Sequence, residues 1–88
     1  MAEDRDKTHS RKLLGKTVVS QSGKRFGEVG NLIFEVRSGE LLQISLKNPT
    51  VHCEGFNLDR ASSGDLLVPF SSVVAIGDFV VLEEKDIV

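Results

Sequence analysis

Two short runs hold the side chains best suited to chemistry. His52-Cys53-Glu54 brings an imidazole, a thiol and a carboxylate together, the ingredients of a metal site or an activated nucleophile. On an extended segment, however, three adjacent residues point to alternating faces and cannot converge on one ion. A structural zinc site takes four ligands, mostly Cys and His, and the whole chain has one Cys and two His. A nucleophilic cysteine needs a base that a third group orients, and none is identifiable. The run therefore reads as an incidental loop, with no catalytic residue, no metal and no cofactor expected. Gly23-Lys24-Arg25-Phe26-Gly27 is a glycine-flanked basic turn. It opens no helix, so it matches neither a P-loop nor a dinucleotide fingerprint. It reads as a solvated hairpin tip, and the alternative is a contact with RNA.

The bulk composition narrows the field further. Eighty-eight residues make one domain, and a domain this small is often marginally stable alone. Dimerisation is one remedy. The formal charge is −2. Residues 1–12 hold four basic and three acidic side chains; residues 13–88 hold seven basic and ten acidic. An acidic body argues against an extended phosphate-binding face. The lone Cys53 excludes an intrachain disulfide. No apolar run approaches the roughly 20 residues that span a bilayer, and the first dozen residues lack the apolar stretch of a secretory signal. A cytoplasmic protein is the expectation.

The elements that must position these residues are strands. Residues 1–12 are mixed in charge and read as a flexible tail. From Leu13 the pattern has period two, up to a turn at Gln21–Lys24. Phe26–Val36 follows, with Gly27 and Gly30 marking a bulge or sharp corner. Beyond that kink, Leu32, Phe34 and Val36 share one face and Ile33 and Glu35 the other. Arg37–Glu40 is a tight hairpin connection. Leu41–Lys47 then alternates, with Leu42, Ile44 and Leu46 on one face. Pro49 ends it. Phe56 and Leu58 are compatible with a short edge strand, and Ala61–Asp65 with a loop. Leu66–Phe70, Val73–Ile76 and Phe79–Leu82 complete the set, with Ser71 placed to cap a helical turn around 71–74. The acidic tail 83–88 ends in Ile87-Val88, a frayed end or a short docking peptide. The fold class is all-β: a small barrel of five to six antiparallel strands over residues 13–82. Its structural turns are Gly15, Gly23, Gly27, Gly39, Gly77 and Asp78.

Apolar doublets carry the functional reading. Leu41-Leu42, Leu66-Leu67-Val68, Val73-Val74 and Val80-Val81-Leu82 place an apolar residue on each face of a strand. One face fills the interior and the other needs a cover. Ile33, Leu41, Leu67, Val80 and Leu82 are the expected outward residues of a dimer or partner interface.

These runs resemble the PRC-barrel family. Leu14-Gly15-Lys16-x-Val18 is similar to its opening strand and Gly23-Lys24-x-x-Gly27-x-Val29 to its first turn and second strand. Gly39-x-Leu41 resembles the next hairpin, and Val68-Pro69-Phe70-x-x-Val73-x-x-Ile76-Gly77-Asp78-x-Val80-x-Leu82 the closing strands. The resemblance covers about residues 13–82 and implies a scaffold without a catalytic residue. A single barrel with charged tails looks most like the small archaeal members. Those imply a non-enzymatic adaptor of cell division, paired with itself or a paralogous PRC-barrel protein. Their partner is SepF, the membrane anchor of the FtsZ ring, so recruitment to the division site at the membrane is expected. The alternative is an RNA-binding or ribosome-maturation module like the barrel of RimM.

Overall fold

The chain reverses wherever glycine or a bulge lets it, and the result is one coiled sheet. The computed structural model describes residues 12–56 and 58–87; the tail expected at residues 1–12 lies outside them apart from Lys12. Among the described residues seven strands run: β1 (Thr17–Ser20), β2 (Arg25–Phe34), β3 (Leu41–Lys47), β4 (Asp59–Arg60), β5 (Leu66–Pro69), β6 (Val73–Ile76) and β7 (Phe79–Leu82). Their spatial order is β4-β5-β3-β2-β1-β7-β6. Every pairing is antiparallel except β1 with β7, which is parallel. The all-β expectation holds, with seven strands in place of five to six. Among the described residues the sheet does not close by hydrogen bonds. Instead β5 and β6, near its two ends, are joined directly through a short 3-10 turn at Phe70–Ser72. That turn is the helical turn expected near Ser71, displaced by one residue. Pro69 precedes it and Ser71 does not cap it.

The β2–β3 hairpin is the backbone of the fold. Its connection is closed by Glu35 N–H donating to Glu40 O (2.7 Å) and Gly39 N–H to Glu35 O (2.8 Å). Gly30 is the extra residue of a bulge: Val29 pairs with Leu46, and the next pair is Asn31 with Ser45. The bulge flips the alternation, so Val29 and Leu32 both face Leu46 and Ile44. Gly27 carries the sharpest bend. Its φ is +153°, and a Cβ there would stand 2.9 Å from the Lys47 carbonyl oxygen.

The core is Leu13, Val18, Phe26, Val29, Ile44, Leu46, Cys53, Val68, Val80, Leu82 and Ile87. Two of these come from segments that the sequence pattern left outside. A 3-10 turn at Val51–Gly55 packs Cys53 inward, although the segment reads as extended in the sequence. A second 3-10 turn at Glu84–Asp86 delivers Ile87, which is only 8% exposed and so is not frayed. Phe26 stacks at a tilt on Phe56, with ring centroids 5.3 Å apart. No helix among the described residues is long and apolar enough to cross a membrane.

Candidate interaction surface

The parallel β1–β7 pair decides which apolar residues face out. It sets Val18 beside Val80 and Val19 beside Val81. Val18 and Val80 are fully buried. Side chains alternate along a strand, so Thr17, Val19, Phe79 and Val81 lie on the opposite, outer face. On the far side of β7, Ala75 pairs with Val81 and Ile76 with Val80, after a register shift at Val74. Val19, Val81 and Ala75 thus form one row across three strands, with Phe79 diagonal to it. Neighbouring strands stand about 4.8 Å apart, so the row is continuous. Phe79 is 51% exposed, whereas Ile76, 48% exposed at the sheet edge, shares the inner face with its partner Val80.

Two features frame this strip. On its β2 side, Val19 pairs with Arg25 and Thr17 with Glu28. Arg25 Nη2 and Glu28 Oε2 are 3.2 Å apart, a half-exposed ion pair that gives the strip a polar margin. On its other side, β6 is the last strand of the sheet. Val73-Val74-Ala75-Ile76 carries neither a charge nor a proline, the usual devices that blunt an edge. At the turn between β6 and β7, the Lys16 ammonium donates to Gly77 O (2.6 Å).

The residues expected to face outward are distributed differently. Val80 and Leu82 are fully buried in the core, because β7 takes its phase from β1. Leu41 packs on the core. A register shift between β2 and β3 pairs Phe34 with Leu41 and leaves Leu42 as the extra residue, so Leu42 becomes the exposed one. Leu67 lies on the outer face, opposite Val68, but is only 7% exposed. Gln43 Nε2 donates to Asp59 Oδ2 (3.4 Å), bridging the two strands that flank β5 and covering it. Ile33 is half-buried beside Gln43, on the outer face. Phe79, Val81, Val19 and Ala75 are the outward residues absent from that expectation. The doublet Val80-Val81 contains the signal but not its phase. Among the structural turns, Gly15, Gly23, Gly27 and Gly39 have positive φ, and Gly77 does not.

The His52-Cys53-Glu54 run does not converge. His52 and Glu54 are exposed, while the Cys53 thiol is buried and donates to Phe26 O (3.2 Å). Burial pushes this thiol's pKa up, against a smaller lowering by a backbone hydrogen bond at Thr50. No group of three or more His, Cys, Asp or Glu among the described residues is arranged to hold a metal. The basic turn at Lys24-Arg25 is a hairpin tip: Ser20 N–H donates to Lys24 O and Gly23 N–H to Ser20 O. Beyond it, an open groove of about 910 Å³ runs between β3, β5 and the Val51–Gly55 turn.

Comparison with known proteins bears on this architecture. The chain is 26% identical over 82 residues to the uncharacterized protein MJ1118 of Methanocaldococcus jannaschii, spanning 93% of this chain and 88% of that relative. The family model described as PRC-barrel domain matches residues 6–87, reaching past the 13–82 expected from the motifs to include the Ile87 turn. A glycine-bent sheet joined at one corner, with a match over nearly its whole length, places this chain in the PRC-barrel domain family.

Proposed function

We propose that this chain is a non-enzymatic protein–protein adaptor that pairs with a second copy or a paralogue. We further propose that it acts in archaeal cell division through a SepF-type membrane anchor of the FtsZ ring. The observation that carries the adaptor reading is the outward strip of Phe79, Val81, Val19 and Ala75 beside the uncharged last strand β6. A continuous apolar surface with a polar margin has the anatomy of an interface. An edge strand with one open side can add backbone hydrogen bonds to a partner and so fix register. PRC-barrel membership fits a small binding module. The division role rests on the resemblance to small archaeal members, and the similarity to a protein of an archaeon accords with it.

The test is affinity purification of the tagged chain from its native cell, followed by reconstitution with the SepF-type protein. Co-purification, mid-cell recruitment and loss of both in Phe79→Lys are expected. Diffuse localisation with normal division after deletion would overturn the division role. Retention of every partner by Phe79→Lys would overturn the surface. Steeply salt-dependent RNA binding would point to the ribosome-maturation alternative.

A further inference from the structure

Residues 83–87 bridge two corners of the sheet. Glu83 N–H donates to Ser72 O (2.8 Å), tying the end of β7 to the corner that joins β5 and β6. Ile87 N–H then turns back onto Glu84 O (3.2 Å), and the Ile87 side chain enters the core. The opposite anchor is the β1–β2 turn. Gln21 N–H donates to Leu82 O (3.0 Å). Ser22 Oγ donates to Glu84 Oε1 (2.6 Å) and lies 2.8 Å from Ser20 Oγ, which accepts from Lys24 N–H (3.2 Å). A carboxylate only accepts hydrogen bonds. The Ser22 hydroxyl must therefore point at Glu84, and the Ser20 hydroxyl at Ser22.

We propose that residues Glu84–Ile87 are a charge-gated clasp that bridges the β1–β2 turn and the Phe70–Ser72 corner. The clasp opens without unfolding the rest of the sheet. Its gate is the Ser22–Glu84 contact. Both groups reach solvent, and a negative charge placed at Ser22 faces the Glu84 carboxylate directly. Opposition of like charges at such a site replaces a charge-assisted bond with repulsion. Opening frees the corner from which β6 departs, the strand at the margin of the apolar strip. The clasp does not depend on the adaptor reading, because it is measured on the isolated chain with no partner present.

Hydrogen exchange of the full chain tests it, read at the Glu83 and Ile87 amides and compared with Ile44 and Leu46 in β3. Ser22→Ala loses the bond alone and should raise exchange at the clasp about threefold. Ser22→Asp adds repulsion and should raise it about tenfold. Ser22→Asp combined with Glu84→Lys restores opposite charges and should return exchange close to that of the parent chain. The β3 amides should be unchanged throughout. Three outcomes overturn the proposal: Ser22→Asp no faster than Ser22→Ala, no rescue by Glu84→Lys, or an equal rise at the clasp and in β3.

Discussion

Gly27 and Cys53 show how single residues are decided by their surroundings. Gly27 has a positive φ that side chains rarely adopt, and it lies against the Lys47 and Asn48 carbonyls. Backbone atoms cannot step aside as a side-chain tip can. Gly27→Ala is therefore expected to cost about 2–4 kcal/mol, combining strain and collision. Gly77 lacks a positive φ and has no atom within 4 Å of its would-be Cβ. Gly77→Ala should change stability by less than about 0.5 kcal/mol. Urea denaturation of the pair distinguishes them, and equal losses would refute the assignment. Cys53 should resist thiol reagents while the chain is folded and react once urea unfolds it. Its pKa is raised in the folded state. The sign follows: its contribution is intact below the unfolded thiol value, roughly 8.5, and is lost as pH rises through the folded value. Stability between pH 7 and pH 10 should fall more for the parent than for Cys53→Ala, each compared with its own value at pH 7.

Bulges govern the elements. Strict alternation in β3 puts Leu42 with Ile44 and Leu46 and turns Leu41 away. The register shift opposite Phe34 reverses the first two positions, so Leu41 packs on the core and Leu42 meets solvent. Leu42→Lys should be nearly neutral, within about 0.5 kcal/mol, whereas Leu41→Lys should cost about 1–3 kcal/mol by burying an unpaired charge. Thermal melts of the two variants check this, and the opposite ranking would restore the simple alternation. Leu67, expected to face outward, is unsuited to probing an interface for a different reason. Leu67 lies on the outer face, yet the Gln43–Asp59 bridge covers it, so a lysine there would test folding.

At the scale of the whole molecule, the outward apolar strip and the uncharged strand beside it call for a second surface. Light scattering should find the parent chain larger than a monomer, and Phe79→Lys or Val81→Lys should shift it to the monomer. Each variant removes about 1–2 kcal/mol of apolar burial per copy at the contact and leaves the core untouched. A parent chain that is monomeric at high concentration would remove the self-pairing part of the proposed function. A dimer unaffected by either variant would move the contact to another face.

The amino-acid sequence by itself determined the all-β class, the β2–β3 hairpin, the kink at Gly27–Gly30 and the turn at Gln21–Lys24. These depend on local chemistry: period-two alternation, glycine at positive φ and proline at a strand end. It also determined that both faces of several strands are apolar. Only the tertiary structure decided which face is which. An apolar doublet looks the same in either phase, and a one-residue shift exchanges inside for outside. The parallel pairing of β1 with β7, between residues about sixty positions apart, sets that phase and turns Phe79 and Val81 outward in place of Val80 and Leu82. The inward packing of Cys53 and Ile87 was likewise settled by the distant strands that receive them, and no local pattern records where those strands will lie.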